Sequence, residues 1–188
     1  MMPETARRYG LVVNSNQDDR KDPRKSTEAA LRYLNYLYNF LNNDWTLAIA
    51  AYNCGEGRVK QAIRQANSYD YAKIKHLLPK QTQKYIPAII AAGYSVNNYA
   101  AYGVVPTNTP YSLRFTNTVK VFDRLSFAEI ASITNTPLEV VKKLNPSYIK
   151  GYVPANKRGN YIILPSVNSN QLSNYLKRSN RYAVAMRF

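Results

Sequence analysis

The segment Pro106-Thr107-Asn108-Thr109-Pro110 divides the chain into two parts of different pattern. Two prolines around small polar residues remove backbone donors and fix φ, so neither a helix interior nor a central strand can run through them. Upstream, apolar residues recur at helical spacing; downstream, strand-like and helical stretches alternate over a short distance. The 188 residues are therefore expected to hold a helical part over 1–105, a linker over 106–112, a small α+β module over 113–167 and a basic tail over 168–188.

Asp22-Pro23 supplies a cap and a first-turn proline for a helix over 26–41. Ala30, Leu34, Leu37 and Leu41 form its apolar face, widened by Leu31, Tyr33 and Tyr38. Asn42-Asn43 ends it and Asp44 caps the next helix, 45–53, where Leu47, Ala48, Ile49, Ala50 and Ala51 place it inside a helical core. Gly55-Glu56-Gly57 breaks the chain before Val59, Ala62 and Ile63 resume helical spacing over 58–66. A polar, Tyr-rich loop then leads to Leu77-Leu78-Pro79. A longer helix is expected over 81–102, with Pro87 near its first turns and Gly103 as its stop.

Past the linker, Leu113, Phe115, Val119 and Val121 have strand composition, 126–134 reads as a helix, and Thr136-Pro137 starts a second helix that Asn145-Pro146 stops after Leu144. Tyr161 to Pro165 reads as a final strand. The module thus runs strand, helix, helix, strand. Its tail, with Lys177, Arg178, Arg181 and Arg187, is read as a frayed basic end, with peripheral contact to an anionic envelope surface as the alternative.

Lys and Arg number 26 against 11 Asp and Glu, a formal charge of +15, which favours a polyanionic partner: nucleic acid, an anionic membrane surface or an acidic wall polymer. Tyr accounts for 17 residues against 5 Phe and 1 Trp, and its ring and hydroxyl suit stacking on sugars or bases. The lone Cys54 excludes an internal disulfide framework and the lone His76 a His-rich metal site, so no metal and no cofactor are expected. Cys54 is read as a small packed side chain and His76 as a solvated loop residue. No apolar run approaches the ~18 residues of a transmembrane helix, and the first residues lack the apolar core of a secretory signal.

Ala51-Tyr52-Asn53-Cys54-Gly55-Glu56-Gly57 places a ring and an amide at the end of the apolar helix, just before a glycine corner. Such a position presents both to whatever cleft that helix end faces, or serves only to cap the helix. Together with Met2-Pro3-Glu4-Thr5-Ala6-Arg7-Arg8-Tyr9-Gly10-Leu11, the helix after Asp22-Pro23, and Leu78-Pro79-Lys80-Gln81-Thr82-Gln83-Lys84-Tyr85-Ile86-Pro87, it forms four ordered blocks. In that order they resemble the SLT-type lytic transglycosylases. The downstream module resembles a divergent LysM domain through Leu125, Ile130-Ala131, Leu144-Asn145-Pro146 and Ile163-Leu164-Pro165, with Phe122-Asp123-Arg124-Leu125 standing where Gly-Asp-Thr-Leu is usual.

The resemblance implies a mainly α chain: an incomplete lysozyme-like helical domain followed by a LysM-like peptidoglycan-binding module. It implies peptidoglycan glycan strands as partner and a bacterial envelope or periplasmic setting. The implied reaction cleaves the bond between N-acetylmuramic acid and N-acetylglucosamine without water. One Glu protonates the leaving oxygen and then acts as base while the muramoyl C6 hydroxyl closes a 1,6-anhydro ring. By resemblance, Met2, Tyr52, Asn53 and Tyr85 line the cleft, and Gln81 replaces a Glu usual in its block.

The family's Glu-Ser motif lies upstream of the Met2–Ala6 block, inside which this chain begins, so no catalytic residue is expected and the chain as it stands is expected to bind glycan without cleaving it. Glu56 is the nearest substitute acid and Glu4 a more remote one; a capping or surface role accounts better for both. A noncatalytic peptidoglycan-binding protein is the alternative. Nucleic-acid binding is a remote third reading, because the basic residues are scattered and form no recognition helix, RRM pattern or zinc spacing.

Overall fold

The computed structural model describes residues 1–179. In chain order the helices and strands are α1 (Pro3–Arg8), α2 (Pro23–Phe40), α3 (Trp45–Cys54), α4 (Glu56–Ala66), α5 (Tyr71–Ile74), α6 (Lys80–Asn97), α7 (Tyr111–Arg114), β1 (Thr116–Val121), β2 (Leu125–Ser126), α8 (Phe127–Thr134), α9 (Leu138–Leu144), β3 (Tyr152–Val153), β4 (Asn160–Pro165) and α10 (Ser166–Arg178). Two compact units result: Thr27–Thr107, and Met1–Ser26 grouped with the chain from Asn108 onward.

In the helical unit, Asp44 accepts from the Thr46 and Leu47 amides at 2.7 and 3.0 Å and starts α3. Leu47, Ala48, Ala50 and Ala51 of α3 are all buried, packed with Leu37, Leu41, Val59, Ala62, Ile63, Ile74 and Leu78 from the surrounding segments. The small alanines let neighbouring backbones approach on several sides. The chain reverses between α2 and α3 through Asn42 and Asn43, both left-handed, a conformation asparagine tolerates. Gly55 joins α3 to α4 at φ +92°, where any side chain would be strained. The first turns of α6 pack on α3, but from Pro87 onward the helix is exposed, Ile90, Tyr94 and Val96 being more than half accessible. The expected helix over 81–102 ends at Asn97; a separate 3-10 turn, Tyr99–Tyr102, precedes the left-handed Gly103.

In the other unit β1 and β4 pair antiparallel, with Lys120 opposite Tyr161 and Val119 opposite Ile162. A shorter pair joins β2 to β3. Ser126 and Glu129 form a reciprocal capping box at the start of α8, and Pro137 stands at the N-cap of α9. Val119, Val121, Leu125, Phe127, Ile130, Val141, Tyr148, Val153, Ile162 and Leu164 close one core.

Two expectations are corrected here. Leu113 lies in the helical turn α7 begun by Pro110, and the strand starts only at Thr116. The frayed end expected over 174–188 fails over its described part: α10 runs to Arg178 and buries Ser169, Leu172 and Leu176. The Asn168 side chain donates to Thr134 O (2.8 Å), and that of Asn117 to Ser169 Oγ (3.1 Å). The spacing of Ser169, Leu172 and Leu176 is helical, but Ser and Asn between them hide it in composition. Arg181 and Arg187 lie outside the described residues.

Leu172→Ala is expected to destabilise this unit by about 2–5 kcal/mol, read as a lower denaturation midpoint; an unchanged midpoint would show α10 to be peripheral. Tyr148 donates to Tyr161 O at 2.7 Å, and its phenol is pushed up to about 12, mainly by burial and further by Asp19 and Asp22. An unfolded tyrosine ionises near about 10. The folded unit therefore retains a proton that the unfolded chain has lost, and the stability it contributes, full below pH ~10, falls as pH rises toward ~12. In an alkaline absorbance titration the last tyrosine to ionise should vanish in Tyr148→Phe.

Candidate functional site

The end of α3 carries Tyr52, Asn53 and Cys54, each half-buried, where Gly55 turns the chain away. Leu47, Ala48, Ala50 and Ala51 are enclosed, and the last turn of α3 brings polar side chains to a surface. Thr82, one turn into α6 and buried, donates its hydroxyl to Asn53 Oδ1 at 2.8 Å. That bond fixes which face of the amide is which. Among the described residues no protein acceptor takes the Asn53 Nδ2 donors.

Tyr52 is flanked on two sides. Its ring lies 5.6 Å from that of Tyr33 on α2, and a run of aromatic contacts continues along that helix through Tyr36 to Phe40, over which Lys60 Nζ sits at 4.1 Å. Burial pushes the Tyr52 phenol up, and the neighbouring Tyr85 phenol adds to the effect. Tyr52 and Asn53 on α3 thus have Tyr85 of α6 close to the Tyr52 ring. Burial also pushes the Cys54 thiol up, with the Thr82 hydroxyl and the Arg58 charge acting in the opposite sense. A thiol so held is a packed side chain, not a nucleophile. Tyr71 Oη is buried without a hydrogen-bond partner among the described residues, and burial pushes its phenol up. A bound hydroxyl or water there would satisfy it.

Met2, also a candidate, belongs to the other unit, where it stands at the N-cap of α1 and is 74 % exposed. Glu4 and Glu56 each occupy the first turn of a helix, a position that favours carboxylates through the aligned backbone dipoles. His76 is exposed in a 3-10 turn and Gln81 is exposed in the first turn of α6. A groove of about 460 Å³ between α4 and Leu77-Leu78-Pro79, lined also by Arg58, Gln61 and Gln65, lies beside the cluster and takes in none of Tyr52, Asn53 or Tyr85. Thr82 and Tyr71 were missed in the sequence: a threonine within a polar run carries no signal of its distant acceptor.

The downstream unit presents a second candidate surface. Arg124 lies over the Tyr152 ring at 4.3 Å, and Lys120 Nζ lies 5.2 Å from the Phe122 ring centre and 5.7 Å from that of Tyr161. Gly159, at φ +77°, lets this cluster close, since a Cβ there would come within 2.5 Å of Lys120 Cε and 3.0 Å of Phe122 Cε1. Cations over aromatic rings suit a sugar that also bears carboxylates.

Residues 1–75 match the family Transglycosylase SLT domain, and residues 115–181 match the family Lytic transglycosylase MltD, LysM-like domain. The chain is also 32% identical over 176 residues to "Membrane-bound lytic murein transglycosylase D" of Escherichia coli strain K12, and equally to the protein of that name from E. coli O6:H1 strain CFT073. In both parts the chain is similar to the SLT-type lytic murein transglycosylases. The similarity covers 92% of this chain and 38% of each relative, so the chain spans well under half the length of the proteins it matches. Tyr52, Asn53 and Met2 fall inside the SLT match; Thr82 and Tyr85 lie beyond its end. Among the described residues no group of side chains suits a metal ion and no helix is long and apolar enough to cross a membrane.

Thr82→Val keeps the shape of the site and removes the donor to Asn53. It is expected to lower stability by about 1 kcal/mol and to shift the Asn53 side-chain amide resonances in a nitrogen-15 spectrum. Unmoved resonances would refute the fixed amide.

Proposed function

We propose that this chain binds the alternating MurNAc–GlcNAc strand of peptidoglycan through two surfaces, the Tyr52–Asn53–Tyr85 wall and the LysM-like module. The observation that carries the reading is the Asn53 amide, oriented by Thr82 next to Tyr52, whose phenol is influenced by Tyr85. An N-acetyl carbonyl or a ring hydroxyl is the natural acceptor for such donors, and a tyrosine face is the natural support for a pyranose. The LysM-like module adds cation and ring pairs suited to the same polymer. Met2 rests on the family resemblance alone and lies in the other unit. The setting that follows is the bacterial envelope.

The chemistry of the family needs one carboxylic acid, whose proton passes to the glycosidic oxygen as that bond to C1 breaks. The C6 hydroxyl then bonds to C1 and returns its proton to the carboxylate, so no water is consumed. In this reading the chain supplies the sugar contacts. The first-turn positions of Glu4 and Glu56 support a structural role for both in this reading.

Sedimentation with purified peptidoglycan tests this. The chain should pellet with the polymer at low and high salt, and Tyr52→Ala and Asn53→Ala should each weaken binding about tenfold, equivalent to about 1.4 kcal/mol. Binding that collapses with salt would assign the contact to charge alone. Release of 1,6-anhydro-muropeptides by the chain, lost in Glu56→Gln, would overturn the assignment of Glu56. A noncatalytic peptidoglycan-binding protein gives the same pelleting and differs in one respect: adding a catalytically competent relative's acid-bearing segment would restore no cleavage.

A further inference from the structure

The unit that holds the LysM-like module also holds the first residues of the chain, which belong to a different family match. Their contact is built from the backbone. Gln17 forms an antiparallel bridge with Tyr148. The Asp18 amide donates to Ser147 O at 2.8 Å, and the Ile149 amide donates to Asn16 O at 3.2 Å. The Tyr152 hydroxyl donates to Asn16 Oδ1 at 3.0 Å.

Each side is held in shape by its own bonds. On the module side, the buried Asn145 acts as a clamp: its Nδ2 donates to Val141 O and Ile163 O at 2.9 and 2.7 Å, and its Oδ1 accepts from the Ile163 amide at 2.8 Å. Ser147 and Tyr148, the residues that follow, are buried, and Tyr148 is anchored to Tyr161. On the segment side, Asn14 Oδ1 accepts from the Asn16 and Gln17 amides at 2.8 and 2.9 Å. The buried Asp19 accepts from the Val12 amide, the Gln17 side chain and Lys25 Nζ at 2.9–3.0 Å. Two loops already ordered lose little conformational entropy when they meet, so a few hydrogen bonds suffice to hold them. Gln17, Asp18, Asp19 and Asp22 are all at least nine-tenths buried, which a segment lying free on solvent would not be.

We infer that the Ser147–Tyr152 edge of the LysM-like module is a receptor surface for residues Asn14–Asp22 of the same chain, and that the two open and close as one cooperative body. The module and residues 14–22 then form one body within the same unit. The edge is filled from within the chain, which leaves the Lys120, Phe122, Arg124 and Tyr161 surface as the module's outward glycan-facing side.

Native-state hydrogen exchange on the full chain tests this. The Asp18 and Ile149 amides, whose bonds cross the contact, should be protected to within about tenfold of the β1–β4 amides of Val119 and Ile162. Asn16→Ala removes the acceptor of Tyr152 without touching the module, and should lower protection at Asp18, Ile149, Val119 and Ile162 together, by about fivefold. Exchange of Asp18 and Ile149 at open-loop rates beside a protected sheet would overturn the inference. So would an Asn16→Ala effect confined to the contact while Val119 and Ile162 stay unchanged. Tyr152→Phe, which removes the same bond from the other side, should reproduce the Asn16→Ala pattern.

Discussion

A helix with no polar face has to be surrounded, and that constraint on α3 organises the helical unit. Leu47, Ala48, Ala50 and Ala51 admit water on no side, so α2, α4 and α6 must each turn an apolar stripe toward it. The capping carboxylate of Asp44 decides where the helix begins and the positive φ of Gly55 decides where it ends. With its flanks enclosed, only the last turn of α3 is available for polar work. The position of Tyr52 and Asn53 therefore follows from the core and needs no separate device.

The second unit depends on a different kind of constraint. Its sheet has few strands and its helices are short, so the core gains from every added layer. α10 adds one layer through Leu172 and Leu176. The Asn145 clamp adds rigidity by tying the end of α9 to β4 through two bonds to Ile163, with a third back to Val141. Buried polar groups of this kind stabilise only when fully satisfied, and Asn145 meets that condition. The same loop then carries the edge on which the opening segment lies, so one buried asparagine supports both the module's closure and its contact with residues 14–22.

Local patterns were legible from residues alone. Asp44 before an apolar run, the Gly55 corner, the helix over 126–134 and the Pro137 helix start each act over a few residues, and each stands within a residue or two of its expected place. The misses share a cause. Leu113 reads as strand by composition, but Pro110 starts a helical turn first. The tail reads as basic and polar because Ser and Asn separate the residues of α10 that face the core. The Thr82 hydroxyl carries nothing in the sequence to name Asn53 as its acceptor, since the two are joined only when α6 lies against α3.

The sequence by itself determined the ordered blocks of the SLT and LysM-like families, the apolar central helix, the glycine corner that places Tyr52 and Asn53 at its end, and the excess of positive charge. These rest on short-range preferences of backbone and side chain, which composition and spacing record directly. Tertiary structure alone decided which way the Asn53 amide faces, that Tyr85 stands beside Tyr52, that α10 is core and not tail, and that residues 14–22 lie along the module's edge. Those outcomes depend on pairs far apart in the chain, whose free energy is set by burial and by the satisfaction of each polar atom once the elements have met.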